Sequence, residues 1–191
     1  MKFDIMLAGV GGQGVLSLSS IIAFTAMKER LHVKQSEVHG MSQRGGSVFS
    51  HLRLSDGFIA SDLISLGTAS MILSMEPLES LRYVPYLAPD GVLVTSKNPV
   101  INIPNYLPEE AYLKAIRSLK NSVVVDAESL AKEAGSSLAT NMVMIGAASQ
   151  HLPLEPEKLA DAIKVRFASK GDRVVEINLR AFEAGREAAK L

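Results

Sequence analysis

Phe3-Asp4-Ile5-Met6-Leu7-Ala8-Gly9-Val10-Gly11-Gly12-Gln13-Gly14-Val15 is the stretch on which the fold class turns. Phe3 to Ala8 is short and mainly apolar, as in a central strand buried on both faces. The glycines that follow make a tight turn, and residues 15–28 then read as a helix. Val15, Leu18 and Ile22 form one stripe, while Leu16, Ile21, Ala23, Phe24 and Met27 cover much of the remainder. A helix this apolar around its circumference is expected to be covered on two sides. Strand, glycine turn and helix together open a three-layer α/β domain.

The same alternation continues along the chain. Residues 32–38 and 47–54 are strand candidates, separated by the polar loop Gly40-Met41-Ser42-Gln43-Arg44-Gly45-Gly46. Residues 69–74 predict another strand, followed by a helix that Glu76-Pro77 introduces, because proline at a first turn loses no intrahelical hydrogen bond. Pro89-Asp90-Gly91 reads as a turn into the strand Val92-Leu93-Val94-Thr95, and 96–108, rich in proline and asparagine, as a surface loop. Val123-Val124-Val125-Asp126 is a further strand leading into a helix that stops near Gly135. Three helices follow. The first, 141–151, carries Gly146, Ala147 and Ala148, small enough for close backbone packing; 156–168 has Leu159, Ile163 and Phe167 on one face. Lys170-Gly171 is a stop signal, and Asn178 is expected to cap a final helix whose Leu179 and Phe182 face inward. Strands alternating with helices predict an α/β, three-layer α/β/α fold with a largely parallel sheet, residues 1–191 forming one domain.

Composition narrows the function classes. Twenty basic and twenty acidic residues cancel, which leaves no basic excess for nucleic acid or an anionic membrane surface. The chain has no cysteine, which excludes disulfides, thiolate-held iron–sulfur clusters and cysteine nucleophiles within it. Four scattered histidines make no metal pair. Met1-Lys2-Phe3-Asp4-Ile5 runs into glycines rather than into an apolar signal core, and no apolar run approaches the ~20 residues that span a bilayer. A cytoplasmic location is the expectation.

Two segments concentrate chemistry. Gly9, Gly11 and Gly14 fit the dinucleotide spacing of a Rossmann-like opening unit, where missing Cβ atoms let backbone approach a phosphate at a helix N-terminus. Glu37 is the nearest match to the acidic residue that this fingerprint places about 20 residues on. The plainer reading is a tight turn packed against protein. Ser36-Glu37-Val38-His39-Gly40-Met41-Ser42-Gln43-Arg44-Gly45-Gly46-Ser47 brings a carboxylate, an imidazole, an amide and a guanidinium around three glycines. Arg44 suits bidentate binding of a phosphate or carboxylate, with backbone donors beside it. Glu37 and His39 share a strand face and could pass a proton; the rival reading is an ion-paired loop at a subunit contact. His51 and Arg53 share a face and are expected to pair across the sheet, while His32 and His151 read as surface or helix-end residues.

With these residues assembled, the chain resembles the small, gamma-type subunit of the 2-oxoacid:ferredoxin oxidoreductases, and within that family most of all the beta subunit of the indolepyruvate enzymes. The resemblance rests on the Gly9–Val15 motif, on 36–47 with its Gln43-Arg44-Gly45-Gly46 centre, and on Glu76-Pro77-Leu78-Glu79 with Arg82. It continues through Val125-Asp126-Ala127, Asn141 with Ile145-Gly146-Ala147, Lys170-Gly171, and the run from Glu176 to Gly185. Ala69-Ser70 departs from the Ala-Asp expected before the Glu-Pro element. The resemblance implies the fold of domain III of pyruvate:ferredoxin oxidoreductase. It implies oxidative decarboxylation of an arylpyruvate with coenzyme A to an acyl-CoA, carbon dioxide and reduced ferredoxin. Thiamine diphosphate, magnesium and [4Fe–4S] clusters would sit on a partner subunit, and this chain would be inactive alone.

Three readings stand open on the sequence. In the first, a non-redox subunit directs Gly11, Gly12, Gln13, Gly14, Gln43, Arg44, Gly45 and Gly46, with Glu37 and His39 beside them, at coenzyme A or at the partner. In the second, a free-standing oxidoreductase binds NAD(P) or a flavin at the Gly9–Gly14 turn. In the third, the chain is a structural module whose loops only bury protein surface. Its exposed glycine loops and two-sided helix predict a homodimer when the partner is absent.

Overall fold

The computed structural model describes residues 1–39 and 45–190. Its strands are β1 (Lys2–Val10), β2 (His32–His39), β3 (Ser47–Ser55), β4 (Ala69–Ser74), β5 (Leu87–Ser96) and β6 (Ser122–Val125). They form a sheet of order β2-β3-β1-β4-β5-β6 in which β1, β4, β5 and β6 run parallel. β3 is antiparallel to both its neighbours, β1 and β2. The helices are α1 (Val15–Lys28), α2 (Pro77–Arg82), α3 (Glu109–Arg117), α4 (Ala127–Ala134), α5 (Thr140–Ala148), α6 (Pro156–Phe167) and α7 (Asp172–Ala188).

Alternation along β1 sets the layers. Ile5 and Leu7 point into one core with Leu18 and Ile22 of α1, Val143 of α5 and Phe182 of α7. Met6 and Ala8 point into the other, with Tyr83 next to α2 and Tyr112 and Ile116 of α3. The expected three-layer α/β/α arrangement is borne out. α5 and α7 cross with backbone against backbone. A Cβ on Gly146 would stand 2.9 Å from the carbonyl carbon of Phe182 and 3.0 Å from the nitrogen of Arg186. The small residues at 146–148 do the work their size suggests.

Four local expectations are corrected. Pro89-Asp90-Gly91 is not a turn before a strand but an irregularity inside β5: Ala69 pairs with Leu87 and Met71 with Val92, so extra residues bulge out. Asn178 does not cap a helix, because α7 already begins at Asp172 after Gly171 (φ 90°). Its buried side chain donates to the carbonyl of Val174 one turn back. Helix α3 was not anticipated; only Tyr112 and Ile116 of it are buried. Leu16 and Met27 of α1 are exposed rather than covered.

On the α2–α3 side, residues 57–68 cover β2 and β3, and strand side chains hold their backbone. Arg53 grips buried Asp4 with two hydrogen bonds of 2.9 and 3.1 Å, so it does pair across the sheet. It also donates to the carbonyls of Ser61 and Leu63. Buried His51 accepts the amide of Ile64 on Nδ1 at 3.1 Å and meets Phe49 and Tyr86 edge-on. Burial lowers its pKa, Asp62 opposes that, and Arg53 adds to it. Burial also lowers that of His151.

The unfolded chain therefore binds more protons than the folded one between these lowered values and the ordinary histidine value near 6.5. Stability is full above that value and declines as pH falls through this window. Thermal unfolding from pH 7.5 to 5 is expected to show the decline, and His51→Gln to flatten part of it. An unchanged pH slope in the variant would exclude His51 as a source.

Candidate functional site

Chain direction locates the site. From β1 the chain passes through α1 on one face to β2; from β4 it passes through α2 on the other face to β5. The order reverses between β1 and β4, and ligands of open α/β sheets lie outside the strand carboxyl ends at such a point. The glycine turn is there. Gly12 (φ 103°) and Gly14 (φ 82°) need conformations that side chains rarely adopt, and Gly14 caps α1. A Cβ on Gly9 would stand 2.8 Å from Val15 Cγ2 and 3.1 Å from Met75 Cβ, so turn and helix close only on glycine. Gln13 locks the turn: its Oε1 accepts the Val10 amide at 2.8 Å and its Nε2 donates to the Met75 carbonyl at 3.2 Å.

The second glycine segment joins the first. Gly11 donates its amide to the Gly46 carbonyl at 2.8 Å, and the Gly45 amide reaches the Gly11 carbonyl at 3.5 Å. These bonds continue the β1–β3 ladder beyond Val10 and Ser47. Antiparallel pairing thus makes one glycine frame of segments far apart in sequence.

Two buried carboxylates of the α2 region brace it. Glu76, 1% exposed, caps α2 by accepting the Glu79 amide at 2.8 Å. Its other oxygen accepts the Val100 amide at 3.3 Å and the Tyr106 hydroxyl. Burial first, and then the Glu76 carboxylate, push the Tyr106 phenol well above its usual range. Glu79 accepts the Ser47 hydroxyl at 2.6 Å and pairs with Arg82. At the ends of β5 and β6, Lys97 and Asn98 bind Asp126, which caps α4 through Ser129. Burial alone would raise the Asp126 pKa, but these bonds outweigh it and hold the carboxyl well below the usual range.

The sequence pattern described as pyruvate ferredoxin/flavodoxin oxidoreductase matches residues 4–188. The chain belongs to that family. Among relatives in the pyruvate ferredoxin/flavodoxin oxidoreductase family, the indolepyruvate oxidoreductase subunit IorB of Thermococcus kodakarensis is 35% identical over 99% of this chain and 96% of its own. Two solved structures share the fold. The 2-oxoglutarate:ferredoxin oxidoreductase of Magnetococcus marinus (22% identity, TM-score 0.80) covers 99% of this chain with 31% of its own. The gamma subunit of the keto/oxoacid ferredoxin oxidoreductase of Geobacter sulfurreducens (24% identity, TM-score 0.74) covers 99% of this chain with 97% of its own. Membership and an oxidoreductase subunit role are borne out.

Set in this family's fold, the expected site residues divide. Gly11, Gly12, Gly14, Gly45 and Gly46 come together at the switch point. Gln13 is beside them with its amide engaged inward. Glu37 is elsewhere: it is exposed on β2, accepts from Gln35 Nε2 at 2.6 Å and pairs in register with Ser50 of β3. Because β3 lies between β2 and β1, Glu37 is two strand spacings, roughly 10 Å, from β1. The dinucleotide fingerprint needs that acid beside the turn, and this topology does not supply it. Gln43, Arg44 and the side chain of His39 lie outside the described residues. Reading the sequence missed Glu76 as a brace and Asn102, and it named Asn141 only within the family resemblance, not beside the turn, where its Nδ2 lies 3.1 Å from the place of a Gly14 Cβ. Glu76-Pro77 was visible only as a helix start.

Proposed function

We propose that this chain, residues 1–191 working as one domain, is the small non-redox subunit of a cytoplasmic, thiamine-dependent 2-oxoacid:ferredoxin oxidoreductase acting on indolepyruvate or a related arylpyruvate. The reaction is oxidative decarboxylation with coenzyme A to the acyl-CoA, with electrons passing to ferredoxin. The observation that carries this reading is full-length identity of 35% to an indolepyruvate oxidoreductase subunit. The chain's own residues fit a supporting role. Iron–sulfur clusters need thiolates, and the chain has no cysteine. Among the described residues, no three His, Asp or Glu side chains are grouped to hold a metal ion. Thiamine diphosphate, magnesium and [4Fe–4S] clusters are therefore assigned to the partner subunit.

The glycine frame suits a different task. Gly12 has open space where a Cβ would be, and positive-φ backbone beside a helix start favours an anion. We assign this frame, with Gln43 and Arg44, to the coenzyme A phosphates or to the partner's surface.

Co-expression with a thiamine- and cluster-binding chain tests the reading. A stable complex should reduce ferredoxin with indolepyruvate and coenzyme A, faster than with pyruvate or 2-oxoglutarate, while this chain alone is inactive and self-associates. Failure to recover any complex, or a complex indifferent to arylpyruvates, would count against it. In the active complex Arg44→Ala is expected to lower kcat/KM about 10- to 100-fold, the size of one charged hydrogen bond. Lost assembly instead would assign Arg44 to the interface.

A further inference from the structure

Residues 97–108 leave β5 at the strand carboxyl ends and are mostly exposed, yet beyond Lys97 and Asn98 they are tied again at Val100, Asn102 and Tyr106. Glu76 takes the amide of Val100 and the hydroxyl of Tyr106. Between these anchors the Asn102 side chain donates from Nδ2 to the Gly45 carbonyl at 2.6 Å. Ile101 and Ile103, 74% and 44% exposed, flank it, so an exposed polar residue turns back to the frame while its apolar neighbours face outward.

The Gly45 backbone has need of such a tie. It sits at φ 80°, and its amide reaches Gly11 at a long 3.5 Å. Glycine backbone loses more freedom on ordering than any other, so the Gly45 peptide, one residue beyond the 2.8 Å bond that holds Gly46, gains order from a further contact. On the far side, Glu79 fixes Ser47. The cap of α2 and its first turn therefore brace both flanks of the second glycine segment, one through Ser47 and one through the 97–108 loop.

We propose that Asn102 is a positioning residue, which holds the Gly45 carbonyl so that the two glycine segments present one preformed binding surface. It touches backbone, not substrate, and it acts on the affinity of whatever binds at the frame. The kinetic part of this proposal rests on the functional reading above, in which that ligand is coenzyme A.

The test compares Asn102→Ala, Asn102→Asp and Asn102→Gln in the assembled enzyme. Aspartate keeps the shape but removes the N–H donor, whereas glutamine keeps an amide donor. Alanine and aspartate are expected to raise KM for coenzyme A about 3- to 10-fold, the worth of one neutral hydrogen bond. kcat, KM for the 2-oxoacid and the melting temperature should stay unchanged, and glutamine should recover at least half of the loss. Wild-type KM for coenzyme A in the aspartate variant, or losses that follow melting temperature, would overturn the proposal. If the wild-type chain gives no coenzyme A-dependent enzyme, the functional reading fails first, and hydrogen exchange on the isolated chain decides this one. Asn102→Ala should then speed exchange of the Gly11 amide about 3- to 10-fold, and unchanged exchange would overturn it.

Discussion

Gly185→Ala is expected to lower stability by at least about 3 kcal/mol, a large part of the roughly 5–15 kcal/mol that holds an ordinary domain folded. Helix propensity alone predicts the opposite sign, since alanine is favoured over glycine in a helix interior by about 1 kcal/mol. Geometry decides between them. A Cβ on Gly185 would stand 2.7 Å from the carbonyl carbon of Val143 and 3.0 Å from its Cα, with the carbonyl oxygen closer still. The obstacle is backbone of α5, so no rotamer change relieves it, and α5 and α7 must separate. Overpacking costs about 1–3 kcal/mol where side chains give way, and more where they do not. Gly146→Ala should behave alike, because it meets α7 from the other side. Urea unfolding measures both. A midpoint within a few tenths molar of wild type would show that the helices can part cheaply.

Glu76→Ala is expected to cost about 3–5 kcal/mol. The carboxylate is buried, and its removal strands the Glu79 amide, the Val100 amide and the Tyr106 hydroxyl together. Hydrogen bonds to a charged group contribute about 1.5–3 kcal/mol each, and relief from burying the charge offsets part of that sum. Calorimetry on the folded variant gives the loss, and hydrogen exchange at Val100 shows whether the 97–108 loop is released. A loss under about 1 kcal/mol with Val100 still protected would mean that other contacts hold the loop.

These two residues show where the sequence was legible. Regular periodicity gave α1 and β4 their limits, because apolar spacing and glycine signals act within a few residues. Gly146 was read as a close-packing position, but its counterpart Gly185 was not, since the contact joins helices separated by the whole of α6. Helix α3 escaped notice because two buried residues in nine leave little pattern. Asn178 carried a cap residue's chemistry, and the apolar run Val174 and Val175 before it extended the helix past the local signal.

At the site, glycine spacing marked the turn, but strand order defeated the acid expected beside it. β3 enters the sheet between β1 and β2, and nothing in β2 itself announces that neighbour. Glu76 was misjudged for a similar reason. Its helix cap lies three residues away and was legible, whereas Val100 and Tyr106 reach it only through tertiary folding.

The order in which a ribosome makes this chain gives the α5–α7 contact one more consequence. β1 emerges early, yet it lies in the middle of the sheet, and β4 beside it also precedes the helices α4 to α7. Of the helices on the face these strands share with Phe182, only α1 is made before β4; the rest of the cover waits for α5 and for α7 packed behind it. Nascent chains of this protein therefore carry a sheet with one face only partly covered until the last helices are made, when aggregation competes with folding. A lesion at Gly185 prolongs that interval as well as weakening the finished molecule.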